Sequence, residues 1–246
     1  RPVAHPLSNF VIGCLVSGVI GLVVATLMLP KAWPAFRHWR IATVPELRRA
    51  TGFAILNATA VGPAEIDKSL AARLLPLATA GVYSGAARII SAVSLPVTAM
   101  VQAALPTLFK EARQTAGIRP QMLTTMFAAA FLYGCGAALL MWLCVPAISW
   151  LFGEAYAGIG HAVSLLCVAI PGIGLRQTSG AVLMARDQPW ARVLFEVSGI
   201  VVLLVGAIVL VPKFGIIGMI GAYIAGEWAM AFVAAAIVIK KPAPNR

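Results

Sequence analysis

Few residues in this chain have the chemistry to act on anything, because only 11% of its 246 residues are charged while 61% are hydrophobic. Those that do stand out by where they fall. Arg88, Arg176 and Glu227 lie inside long apolar stretches, and Glu65 and Asp67 lie at the end of one. An ionisable group at membrane depth is costly and marks a functional site by default. Arginines this deep rarely face lipid, which gives Arg88 and Arg176 a cavity-facing role, or else an internal pairing with acids. Glu227 reads equally as a proton or cation site and as the partner of an arginine. Asn57, Thr98, Gln102, Gln177 and Thr178 are uncharged polar groups at depth, of the kind that bond between helices. Glu196 follows Arg192 by one helical turn, the spacing of a surface ion pair.

The remaining chemistry is excluded by absence of pattern. The sequence has no glycine-rich phosphate loop, no HExxH, no nucleophile elbow and no paired metal ligands. Cys14, Cys135, Cys144 and Cys167 all sit in apolar runs without CxxC spacing, as small apolar fillers do. The loops leave no room for a soluble catalytic domain. The expectation is a protein that is not an enzyme and carries no cofactor or metal. Its net charge of +11 gathers at the ends of apolar stretches, so membrane orientation accounts for it better than nucleic acid does.

The elements that must position these residues are seven apolar spans: 9–29, 50–66, 81–105, 122–150, 157–183, 193–211 and 215–240, called A to G. Backbone groups in lipid must bond internally, so runs of this length mean helices and an all-α membrane bundle. Span B is short, contains Asn57 and is broken by Gly62-Pro63. Charge counting supports it. With all seven crossing, Lys31, Arg37, Arg40, Arg48, Arg49, Lys110, Arg113, Arg119, Arg186, Arg192, Lys240, Lys241 and Arg246 lie on one side. Arg1, Lys68, Arg73 and Lys213 lie on the other, a split of thirteen to four. Without span B it becomes eight to nine. Positive residues favour the cytoplasm, so the N-terminus is outside and the C-terminus inside. Trp33, Trp39, Trp142, Trp150 and Trp190 near span ends fit an aromatic belt. Residues 31–49 read either as an interfacial helix or as a solvated basic linker. Gly13, Ser17 and Gly21 in A, and Gly218, Ala222 and Gly226 in G, have the small-xxx-small spacing of close helix packing.

Several stretches resemble the C-terminal part of the polysaccharide and oligosaccharide-lipid flippases of the multidrug/oligosaccharidyl-lipid/polysaccharide exporter superfamily. Asp67 precedes Gly81-Val82-Tyr83-Ser84-Gly85-Ala86-Ala87-Arg88-Ile89, similar to that family's G-x-Y-S-x-A-x-R-I helix start. Ala104-Leu105-Pro106-Thr107-Leu108 resembles the exit of the same helix. Leu151-Phe152-Gly153-Glu154-Ala155-Tyr156, Val182-Leu183-Met184-Ala185 and Pro212-Lys213-Phe214-Gly215-Ile216-Ile217-Gly218 follow in the family's order. One departure is Asp187, where the family often has glycine. Another is span number, since members usually have twelve or more in two similar halves.

The resemblance implies the following organisation. Residues 1–30 would be the last helix of a truncated N-terminal lobe, 31–49 a cytoplasmic inter-lobe linker, 50–241 a six-helix C-terminal lobe and 242–246 a tail. It further implies a bacterial cytoplasmic-membrane transporter that flips a polyprenyl-pyrophosphate-linked oligosaccharide by alternating access, for cell-surface polysaccharide. Its partners would be that substrate, the bilayer, the missing lobe and polysaccharide polymerase machinery. Arg88, Arg176, Asp67, Gln102 and Tyr83 are then candidates for the cavity, and Glu227 for ion coupling. A cation-coupled multidrug antiporter of the same superfamily is the alternative. A seven-helix photoreceptor is disfavoured because span G has no retinal lysine before Lys240, and a membrane transferase because its motifs are missing.

Overall fold

A computed structural model describes residues 6–28, 43, 44, 47, 63–114, 118–153 and 156–240. It divides into two compact units, 1–50 and 51–246. In the first, α1 (Pro6–Met28) carries exposed Ile12, Leu15, Val16, Val19 and Val23 along its length. The Leu47 N–H donates to the Thr43 carbonyl at 2.9 Å inside the expected basic linker.

The second unit is built entirely of helices among its described residues: α2 (Pro63–Leu74), α3 (Leu77–Val93), α4 (Leu95–Gln114), α5 (Pro120–Leu143), α6 (Val145–Phe152), α7 (Ile159–Leu166), α8 (Ala169–Ala185) and α9 (Pro189–Lys240). Three segments, 77–112, 120–143 and 189–240, are long and apolar enough to cross a membrane, and the bent pair α7–α8 makes a fourth. An all-helical architecture with helices of membrane-crossing length is what the composition required. The count of seven goes further than this set. Span B falls almost wholly outside the described residues, and span A corresponds to the 23-residue helix α1.

Spans F and G are the two legs of α9. The chain reverses at Gly215, whose φ of 55° and ψ of −129° no helix contains, just after Pro212 removes a helical N–H. The legs then pack antiparallel through small residues. A Cβ on Gly218 would lie 2.4 Å from the Leu210 carbonyl oxygen, one on Gly206 3.0 Å from Ala222, and one on Gly226 3.1 Å from the Gly199 carbonyl oxygen. The expected packing role of Gly218, Ala222 and Gly226 is thus realised.

Helix α8 is the centre of this unit, with thirteen of its seventeen residues buried. Glycines again set the distance. A Cβ on Gly134 of α5 would lie 2.6 Å from Pro171 Cα, and one on Gly174 3.0 Å from the Ala130 carbonyl oxygen. At its C-terminal end Asp187 takes φ 58°, and the Gln188 N–H reaches back to the Leu183 carbonyl at 2.9 Å. That is a left-handed helix stop, the conformation glycine adopts most freely. It occupies the position where the flippase pattern often carries glycine.

Three helices are interrupted beside prolines: at Ser94 before Pro96, at Cys144 before Pro146, and at Cys167–Val168 before Pro171, where α7 and α8 meet at 45°. Proline lacks the N–H that its i−4 carbonyl needs and crowds that carbonyl. At the first break, Ser91 and Ser94 also donate to carbonyls one turn back, at 2.9 Å each, which favours bending.

Candidate functional site

The six candidate residues separate into two groups on this scaffold. Arg88 and Gln102 are both exposed, on α3 and α4. They lie fourteen residues apart, close to four helical turns, and so share a face. The exposed residues of this continuous face are Ala78, Gly81, Arg88, Ser91, Ala92, Pro96, Ala99, Gln102, Ala103, Pro106, Thr107 and Lys110, with Leu77 and Leu95 as its large apolar members. By contrast, the exposed face of the first leg of α9 is Trp190, Leu194, Val197, Val201, Val205, Ile208 and Val209. One face suits hydrocarbon; the other carries small and polar groups and two cations.

Asp67, Tyr83, Arg176 and Glu227 are in the interior instead. The Tyr83 hydroxyl donates to Asp67 Oδ2 at 2.9 Å, and both residues are buried. The Lys68 backbone N–H donates to Asp67 Oδ1 at 2.7 Å. Asp67 lies on α2, outside the membrane-crossing segments. Burial pushes its carboxyl up from 3.8 to about 6, against the opposing pull of these two donors. Arg176 Nε donates to Glu227 Oε2 at 2.8 Å across the α8–α9 contact. Of the two readings of Glu227, the pairing with an arginine is the one present. This engagement takes Arg176 out of the exposed face that holds Arg88.

The interior group is larger than the sequence pattern indicated. Tyr223 lines the same crevice as Glu227, and buried Glu196 is paired with Arg192. Tyr223 is one turn before Glu227, a spacing that would have flagged it. A crevice of about 10 Å³ opens between the α9 legs, lined by Gly199, Leu203, Tyr223, Gly226 and Glu227 among others, close to the minimum for one water. The Arg192–Glu196 pair forms as its spacing predicted, at 2.9 Å, but Glu196 is buried rather than at the surface. Thr98 donates to Gln177 Oε1 at 2.8 Å, joining α4 to α8, as an interhelical polar contact should. Asn57 lies outside the described residues, and His161 is exposed.

No family model, no characterised protein and no solved structure matches this chain. Function must therefore be argued from the site. Among the described residues, no cluster of three or more His, Cys, Asp or Glu side chains has the arrangement of a metal centre. What the site offers is an exposed polar face with an unburied guanidinium, backed by an interior in which acids and arginines are bonded to one another. Such an interior holds helices in register.

Proposed function

We propose that this chain is the C-terminal lobe of a membrane transporter, with the last helix of the preceding lobe. Its substrate is a polyprenyl-pyrophosphate-linked oligosaccharide, flipped across the bacterial cytoplasmic membrane for surface polysaccharide synthesis. The observation that carries this reading is the exposed α3–α4 face with Arg88 in it. An arginine exposed to hydrocarbon at mid-helix costs about 3 kcal/mol or more, so a face like this lines water or a second lobe. A guanidinium there pairs bidentately with pyrophosphate oxygens. Gln102, Ser91 and Thr107 on the same face have the donors and acceptors that sugars need. The left-handed stop at Asp187 gives the flippase resemblance one further point of physical agreement. Polymerase machinery, receiving the flipped unit, is the expected functional neighbour.

The test is export of lipid-linked oligosaccharide by cells whose only transporter of this kind carries Arg88→Ala or Arg88→Lys. Loss with alanine and partial retention with lysine, at normal membrane abundance, is expected. Undiminished export by Arg88→Ala ends the assignment. The antiporter reading draws on the buried Asp67 and Glu227 carboxylates; Glu227 is already committed to Arg176. Export that collapses with the proton gradient and with Asp67→Asn, while surviving Arg88→Ala, would favour it.

A further inference from the structure

The breaks at Ser94 and Val168 interrupt neighbouring helices. On one side of the breaks α3 packs chiefly on α7, and α7 also on α6. On the other side α4 packs on α8, and α8 on α5 and α9. The buried apolar residues divide at the Ser94 break. One cluster holds Tyr83, Ala86 and Ile90 of α3 with Ile159, Val163 and Leu166 of α7, and continues past Val168 into Ala169, Ile170 and Ile173 of α8. The other holds Val97, Val101 and Leu108 of α4 with Val182 and Leu183 of α8. Helix α5 and both legs of α9 pass through the two clusters without a break beside them, as continuous splints.

Each break is pinned from a splint by an aromatic donor. The Tyr133 hydroxyl of α5 donates to the Val93 carbonyl at 2.8 Å. The Trp228 indole N–H of α9 donates to the Val168 carbonyl at 3.0 Å, and its ring lies 3.4 Å from where a Cβ on Gly172 would stand. Carbonyls beside a proline break lose regular helical geometry and accept from outside donors. Two such donors, from two splints, on two adjacent breaks, define an axis.

We propose that the paired breaks form a hinge, with Tyr133 and Trp228 as its latches, about which α3 and α7 tilt together against the α4–α5–α8–α9 body. Packed cores switch between discrete arrangements rather than deform continuously, and the separation of the buried residues of α3 from those of α4 at Ser94 marks where the core can part. Arg88 rides on the moving helix α3, whereas Gln102 and Lys110 stay with the fixed one. Tilting therefore widens or narrows one end of the polar face. That the face is a transport path rests on the function proposed above; the tilt does not, and the experiment reads only the tilt.

The test uses the whole chain in lipid nanodiscs, with Cys14, Cys135, Cys144 and Cys167 replaced by alanine. Spin labels are placed at His161→Cys on α7 and Val205→Cys on α9, both exposed, and distances are measured by double electron–electron resonance. A control pair at Thr124→Cys and Leu194→Cys lies within the fixed body. Tyr133→Phe combined with Trp228→Phe deletes both donors and keeps both rings. Over about 10 Å of helix, a tilt of about 20° moves the α7 label by ~3 Å. The expected result is a new population shifted by about that distance at the first pair, with the control pair unchanged. Identical distributions with and without the donors overturn the hinge, as does equal broadening of both pairs. Should the double variant not fold, each single phenylalanine variant is read by the same criteria.

Discussion

Arg176 Nε and Glu227 Oε2 meet at 2.8 Å between α8 and the second leg of α9, with 15% and 4% of their side chains exposed. The contact joins the central helix to the hairpin beside it. Removing one partner leaves a buried charge alone, which costs about 3–5 kcal/mol, whereas removing both costs far less. Thermal unfolding of Arg176→Met and Glu227→Met should show large single losses, with the double variant closer to the parent than either. Additive losses would mean that the two groups do not depend on each other.

Asp67 gives the interior a pH signature. The folded state holds its proton up to about pH 6, the unfolded chain only to 3.8. Folding therefore takes up a proton between those values, and stability falls as pH rises through them. Above that window the ionised carboxyl costs about 3 kcal/mol. Asp67→Asn removes the titration while keeping an acceptor for the Tyr83 hydroxyl. The variant should unfold later than the parent near pH 7.5 and no later near pH 4. An equal gap at both values would assign the effect to something other than this proton.

The α9 hairpin should be intolerant where its legs touch. Gly218→Ala places a methyl 2.4 Å from the Leu210 carbonyl oxygen, and backbone cannot swing aside as a side chain can. Overpacking of this kind costs ~1–3 kcal/mol. Gly81→Ala on the polar face of α3 meets nothing within 4 Å and should not lower the melting temperature, since alanine is the better helix former. A reversed order would show that the hairpin packs differently.

The charge asymmetry predicts sidedness. A cysteine placed at Lys68 should react with an impermeant maleimide added to intact cells, and one placed at Lys110 should react only after permeabilisation. Opposite labelling would invert the orientation and remove the cytoplasmic assignment of the C-terminus.

Much of the fold was legible. The chain reversal at Gly215 follows a proline and begins a small-residue stripe, both local signals. Arg88 and Gln102 share a face because fourteen residues nearly complete four turns. The i,i+4 spacing of Arg192 and Glu196 gave their pairing, but not their burial. What stayed hidden was each contact between distant elements: Tyr83 with Asp67, Thr98 with Gln177, Trp228 with Val168. Sequence spacing reports neighbours within one helix and is silent about which helix lies alongside.

The sequence by itself determined the membrane class, the helical architecture and the expected sidedness. These rest on solvent transfer and loop charge, which act on each segment independently of the rest. Only the tertiary structure decided that Arg88 faces outward while Arg176 is consumed by Glu227. Both arginines lie at depth in apolar helices, and nothing in their flanking residues separates them. The difference is whether a neighbouring helix brings a carboxylate within bonding distance, and helix pairing settles that through shape across the whole core.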